Sequence, residues 1–413
     1  MIKQFTCQFE RPISVYQADE LNKKIWYLSE ELKEYSLQYK EDYCIGINFK
    51  IEENEYVSFT KYLRNILEND IYGLKNIITK VLWSHPLTKD ISENLTMNLL
   101  LKSKLVYEHG EGQISIKYPL TELFEFFDVI FKNIAIQLFD AEQFIFPTLI
   151  KSKVLSDAGY FESFPNLWNF VSRLHNDYST FNKFKTDSFD LRSIGDLAFT
   201  TGYSLPPTMC YYVYDMLRDS IISNKAVTTR GKSFRYESKY CKTMSRLWDF
   251  TIREIVFLGT KEYVNQSLEK YRLVIVSLMD MLGFAGECMY ANDPFYLTNN
   301  AALRVNIQKM NRSKVELRLN VSNKDKVAIA SFNRHNQFIS KSFNLYANDM
   351  HEFAYTACIG FGLERLVFAF LCQYGVDEKN WPKLIRNNYK KNNKEKIALK
   401  IFSKYKMCQK FTR

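Results

Sequence analysis

Two runs, Lys314-Val-Glu-Leu-Arg-Leu-Asn-Val and Lys326-Val-Ala-Ile-Ala-Ser-Phe-Asn, are separated only by Ser322-Asn-Lys-Asp. Alternating apolar residues mark both runs as strands, and a connection this short and polar turns the chain straight back. Parallel neighbours need a crossover of about a dozen residues or more, so the pair predicts an antiparallel arrangement. Helical stretches alternate with further strand-like runs elsewhere. The expectation is an α+β fold with an antiparallel sheet, and a doubly wound parallel sheet is excluded.

Residues 1 to about 115 read as a small N-terminal α+β domain. Phe5-Thr-Cys-Gln-Phe-Glu and Tyr43-Cys-Ile-Gly-Ile-Asn-Phe-Lys-Ile alternate like strands, with helices expected near 16–35 and 57–83. His109-Gly-Glu-Gly is a turn between two short strands. A long amphipathic helix then carries Leu123, Phe126, Phe127, Ile130, Ile134 and Leu138 at helical spacing. Phe144-Ile-Phe-Pro147 follows as an apolar edge strand. No repeat and no long low-complexity linker interrupts the chain.

Charge argues against a protein that wraps nucleic acid. The chain has 56 basic and 46 acidic residues, a net +10. Between Lys383 and Arg413 lie 11 of the basic residues and one of the acidic, so the remainder holds 45 of each. Residues 383–413 therefore carry the surplus, most of it in a basic tail over 387–413, with Ile397, Ile401 and Tyr405 along one side of an expected helix. The longest apolar run, Leu366 to Cys372, is far short of the roughly 20 residues that span a membrane. The start Met1-Ile-Lys-Gln-Phe-Thr has no apolar stretch of a secretory signal. A soluble, cytoplasmic protein with no membrane partner is expected, its eight cysteines reduced.

Familiar phosphate motifs fail. Arg230-Gly-Lys-Ser lacks the first glycine of a P-loop, since position 226 is Ala, and Gly360-Phe-Gly-Leu-Glu-Arg lacks the third glycine of a dinucleotide fingerprint. Three other segments act together: Phe234-Arg-Tyr-Glu237 with Arg246-Leu-Trp-Asp-Phe-Thr-Ile-Arg-Glu254, then Ala330-Ser-Phe-Asn333, then Thr356-Ala-Cys-Ile-Gly-Phe-Gly-Leu-Glu-Arg365. In this order they resemble motifs 2 and 3 of the class II aminoacyl-tRNA synthetases, and Phe144 to Pro147 resembles motif 1, the dimer element. Leu205-Pro-Pro-Thr-Met-Cys210, Arg253-Glu-Ile-Val-Phe-Leu-Gly-Thr260, Asp293-Pro-Phe-Tyr and Trp381-Pro-Lys-Leu-Ile-Arg narrow the resemblance. They are similar to the zinc-dependent amino acid:[carrier protein] ligases, relatives of the atypical seryl-tRNA synthetases of methanogens.

The resemblance covers about 118–386 and implies a class II synthetase-type antiparallel sheet with flanking helices. It implies that Arg235 binds the α-phosphate of ATP and Arg365 the γ-phosphate end, with magnesium bridging the phosphates. Phe250 would stack on adenine and Glu237 would accept from its amino group. Arg246 and Leu247 belong to the motif 2 loop, while Lys314, Ala330, Ser331, Phe332 and Asn333 add nucleotide contacts. Cys210, Glu254 and Cys358 match the zinc ligands, so Glu254 would also meet the amino-acid substrate. Two thiolates and one carboxylate leave a tetrahedral ion one open position, which suits a neutral amine.

The implied activity is ATP-dependent activation of a small amino acid as its adenylate. The acyl group then passes to the phosphopantetheine thiol of a separate carrier protein, in a homodimer. Residues 1–115 are absent from the minimal ligases. An extra N-terminal domain is a feature of the tRNA-charging relatives, so a zinc-dependent, seryl-like tRNA synthetase stays open. A catalytically silent relative is the third class. Retention of Arg235, Glu237, Arg365 and the three zinc-ligand matches argues against it.

Overall fold

The computed structural model describes residues 1–77, 80–184, 191–241, 243–293, 295, 301–348 and 351–390. The basic segment beyond residue 390, including the expected helix with Ile397, Ile401 and Tyr405, lies outside the described residues.

Eight strands form the main sheet. Their order is Val81–His85, Gly286–Tyr290, Lys314–Asn320, Lys326–Asn336, Tyr355–Gly362, Asp249–Gly259, Lys225–Phe234 and Glu142–Phe144. Every neighbouring pair is antiparallel except the last, where the short Glu142–Phe144 strand runs parallel to Lys225–Phe234. The Lys314 and Lys326 strands pair as the hairpin their spacing predicts.

Alternation along the Asp249–Gly259 strand shows how the sheet is covered. Ile255 and Phe257 enter one core, with the helices Leu120–Phe139, Lys261–Leu282 and Leu363–Tyr374. Val256 and Leu258 enter a second, with Cys210, Val213, Tyr214, Ile339 and Phe343. The Lys261–Leu282 helix is fixed at both ends: the Thr260 hydroxyl accepts from the Tyr263 N–H, and Gly283 ends it in the left-handed conformation at φ 69°. All six apolar positions expected along the Leu120–Phe139 helix pack in the first core, with Leu138 only partly covered.

The N-terminal region differs from expectation in two places. The helix foreseen over 16–35 is Val15–Asn22 followed by a 3-10 turn at Ile25–Tyr27, and its last residues belong to Glu34–Lys40, a strand paired with Tyr43–Glu52 through a tight turn with Glu41 at φ 53°. The helical stretch near 57–83 ends at Ile71, and Val81–His85 is an edge strand of the main sheet. The N-terminal core accordingly closes at Leu74, while Met97, Leu100 and Val106 pack with the Leu120–Phe139 helix in the main-sheet core. Residues of the expected 1–115 domain thus contribute to both cores. Ala302 and Val305 insert from the Ala301–Met310 helix into the N-terminal core, so the two units share packing.

Candidate active site

Strand register sets the site. Lys314 faces Asn333, Glu316 faces Ser331, Asn333 faces Cys358, Ser331 and Glu254 both face Gly360, and Val256 faces Cys358. Opposed residues of an antiparallel pair project to the same side. One face therefore gathers Lys314, Glu316, Ser331, Asn333, Cys358 and Glu254 as the floor of a cavity of about 360 Å³. Gly360 keeps that floor open: a Cβ there would come within 2.8 Å of Ile252 Cδ1.

At one end Cys210, Glu254 and Cys358 are all buried, and their ligand-type atoms lie within 4.8 Å of one another. The chain Leu205-Pro-Pro-Thr places Cys210 at the start of the Cys210–Met216 helix, directly over the Glu254 strand. Glu254 Oε2 accepts from the N–H groups of Met209 at 2.7 Å and Cys210 at 2.8 Å, and the Thr208 hydroxyl lies 2.8 Å from each carboxylate oxygen. Burial and the Cys358 sulfur beside it push the Glu254 carboxyl up to about 8. A hydrogen bond from Cys210 and the neighbouring His335 hold the Cys358 thiol well below its ordinary range, against the effect of burial. Two thiols and a carboxylate packed this closely are a donor set that fits zinc, which relieves such crowding by displacing their protons.

His335 was not legible as a site residue by motif. It sits two positions beyond Asn333 on the same strand face, with Nε2 3.6 Å from Cys358 Sγ and Nδ1 3.3 Å from the Tyr214 hydroxyl. It is the extra residue where the register slips between Arg334 and Asn336, so strict alternation along the strand does not by itself place it. Glu316, two beyond Lys314, was missed too, although regular two-residue alternation puts it on the same face.

At the other end three arginines converge. Arg235 Nε donates to the Pro207 carbonyl at 3.1 Å, and its guanidinium lies 5.4 Å from the Phe250 ring centroid. Arg246 donates to Glu237 at 2.8 Å. Arg365 Nε donates to the Ser245 carbonyl at 2.6 Å. Burial first, and then the positive charge of Arg246, push the Arg365 guanidinium down to about 10. Such crowding of like charge is what an anionic ligand relieves. Lys314 pairs with Asp293 and with Glu316 on the third side of the cavity.

Of the expected residues, Arg235, Leu247, Phe250, Glu254, Lys314, Ala330, Ser331, Asn333 and Arg365, with Cys210 and Cys358, line this one cavity. Glu237 and Arg246 form their ion pair beside it. Phe332 does not share it: its side chain points to the core behind the sheet, edge-on to Phe361 at 6.4 Å. Strand alternation requires this once Ser331 and Asn333 face the cavity.

No family model matches the chain. Over 293 residues it is 29% identical to the type-2 serine–tRNA ligase of Methanococcus aeolicus, covering 67% of this chain and 56% of that protein. The chain thus spans about half the length of these serine–tRNA ligases. It is 30% identical over 257 residues to amino acid–[acyl-carrier-protein] ligase 1 of Bradyrhizobium diazoefficiens, covering 59% of this chain and 74% of that one. Among solved structures, the M. kandleri seryl-tRNA synthetase complexed with A. aeolicus tRNASec superposes with a TM-score of 0.68 at 18% identity, over 94% of this chain and 77% of that one. The ATP complex of the Pyrococcus horikoshii seryl-tRNA synthetase gives 0.57 at 13% identity, over 82% and 78%. At those identities the likeness establishes the fold, an α+β class II synthetase-like architecture.

Proposed function

The chain belongs to the family of the amino acid–[acyl-carrier-protein] ligases, within the class II synthetase-like enzymes. On that premise we propose that it activates a small amino acid with ATP and passes the acyl group to the phosphopantetheine thiol of a separate carrier protein. The observation that carries this reading is the meeting, in one cavity, of the Cys210–Glu254–Cys358 cluster with Arg235 and Arg365.

A zinc ion held by Cys210, Glu254 and Cys358 would supply a Lewis acid for the substrate amine, favouring the neutral form. Arg235 then faces the α-phosphate of magnesium-bound ATP and Arg365 the pyrophosphate end. The amino-acid carboxylate forms a bond to the α-phosphorus while the bond to the β-phosphate bridging oxygen breaks, and pyrophosphate leaves with the electron pair. The fixed guanidinium forks neutralise charge as it builds up, and no covalent protein intermediate is needed. Phe250 and Leu247 give the adenine an apolar seat. Glu237, paired with Arg246 in the free protein, accepts from its amino group. In the second half-reaction the carrier thiol, losing its proton, attacks the acyl carbon and AMP departs.

The same proposal includes a cytoplasmic homodimer joined through the segment at Phe144 to Pro147, where Ile145 is 88% exposed. Among the described residues no helix is long and apolar enough to cross a membrane. A tRNA acceptor is the second reading, favoured by the similarity to the type-2 serine–tRNA ligases. Pyrophosphate exchange run across the standard amino acids tests activation, and its absence with all of them overturns the proposal. Mass spectrometry of a pantetheinylated carrier then tests the acceptor; tRNA charging with no carrier product makes the second reading correct.

A further inference from the structure

The Tyr160 side chain lines the cavity and is only 5% exposed, yet its hydroxyl has no hydrogen-bond partner among the described residues. Burying a hydroxyl unpaired costs free energy that a phenylalanine would avoid, so a ligand that completes it gives the tyrosine a purpose. Its ring is fixed. Phe164 packs against it at 5.7 Å between centroids, and Tyr211 meets it edge-on at 6.1 Å. Tyr211 directly follows Cys210, which places Tyr160 beside the thiol–carboxylate cluster. Arg235 lines the same cavity, and its charge and that of Glu237 act on Tyr160. Burial keeps the phenol protonated through the whole range in which proteins work, so it is a hydrogen-bond donor there.

A donor that shares one cavity with the thiol–carboxylate cluster and Arg235 can meet the group that lies between amine and phosphorus in the substrate, the carboxylate. We propose that the Tyr160 hydroxyl donates a hydrogen bond to the carboxylate of the bound amino acid and holds it in line with the α-phosphorus. The contact rests on the activation reading given above. One carboxylate oxygen bonds to phosphorus as pyrophosphate leaves with its electron pair; the other becomes the acyl carbonyl oxygen, and the phenol keeps its proton throughout. Tyr160 thereby discriminates amino acids from amines that fill the cluster without a carboxylate.

The test is Tyr160→Phe in the full-length protein. Pyrophosphate exchange is measured with whichever of glycine, alanine and serine the wild type activates. kcat/KM for the amino acid is expected to fall about tenfold or more, as for loss of a hydrogen bond to a charged group. KM for ATP stays within about twofold. The variant melts at or above the wild-type temperature, because the free protein loses no hydrogen bond. The matching amino alcohol, which has no carboxylate, inhibits both proteins equally. Amino-acid kcat/KM within about twofold of wild type overturns the contact, as does a change confined to KM for ATP. A parallel loss of amino-alcohol inhibition and melting temperature makes the tyrosine merely structural. A wild type that exchanges pyrophosphate with no amino acid overturns the activation reading itself, and the contact with it.

Discussion

The hydroxyl of Thr208 lies 2.8 Å from both carboxylate oxygens of Glu254. With a single proton it serves one oxygen at a time, while the backbone of Met209 and Cys210 holds Oε2. Oε1 thus keeps a free lone pair next to two thiols. Burial beside a Cys358 thiol that ionises below its ordinary range pushes the Glu254 carboxyl toward its neutral form, and a cation between them would let both carry charge.

Zinc content is the first expected outcome. The protein should hold about one zinc per chain, and Cys358→Ala or Glu254→Gln should lose both metal and amino-acid activation. Thr208→Val keeps all three ligands and should weaken zinc by about tenfold or more, as loss of an outer hydrogen bond does. Metal analysis after chelator dialysis decides it. Full activation by demonstrably metal-free protein sinks the assignment.

Arg365→Lys should raise KM for ATP at least about tenfold with little change in melting temperature. Lysine keeps the charge but not the two-pronged fork. Burial and Arg246 already oppose the charge at this position, so the free protein gains little from it. An unaltered KM for ATP would remove Arg365 from the nucleotide end.

Glu316 gives a pH dependence. Burial would raise its carboxyl, but Lys314 at 3.2 Å and Arg318 at 2.7 Å hold it down at about 2. An unfolded glutamate titrates near about 4.3. The stabilisation is therefore complete above that value and is lost as pH falls through about 2. Glu316→Gln should cost about 3 kcal/mol at neutral pH, shrinking to about half by pH 3. Urea unfolding at pH 7, 5 and 3 measures it; a cost independent of pH would assign the effect to packing.

The sequence showed the sheet more clearly than the site. The Lys314 and Lys326 strands were readable because their alternation and four-residue turn are local. The three zinc-type residues come from distant segments, so only the resemblance named them; register sets Glu254 and Cys358 side by side, and the helix start at Cys210 completes the group within 4.8 Å. Phe332 was taken with its neighbours because a motif does not record which face a residue occupies. Tyr160 carries no sequence signal: it sits on the four-residue helix Tyr160–Ser163 after a glycine with φ 69°. The strand Glu34–Lys40 has no clear sequence signal, and the helix expected over 16–35 overruns its start, because a half-exposed alternation of polar and aromatic residues is weak until Tyr43–Glu52 pairs with it.

The basic tail yields a prediction from charge alone. Carrier proteins of this kind are typically acidic, and a basic patch speeds their encounter. Removing residues 391–413 should leave pyrophosphate exchange intact while slowing carrier loading and flattening its salt dependence, since such steering is screened over about 10 Å at 0.1 M salt. If exchange and loading fall together, the segment is structural.

The N-terminal unit reaches the cavity through Lys24. Its ammonium lies 2.8 Å from Asp70, with the two side chains only 6% and 2% exposed, and it also donates to the Phe295 carbonyl. Phe295 stacks on Phe164 at 5.6 Å and lines the cavity, so one buried cation links the N-terminal core to the cavity wall. Lys24→Met leaves Asp70 buried without this partner and should destabilise the fold by about 3–5 kcal/mol. Adding Asp70→Leu removes the stranded charge and should restore most of that stability. The Phe295 carbonyl still lacks its donor in the double variant. KM for the substrates should therefore stay raised even as the melting temperature recovers. If KM recovers together with stability, residues 1–74 support the fold but do not shape the cavity.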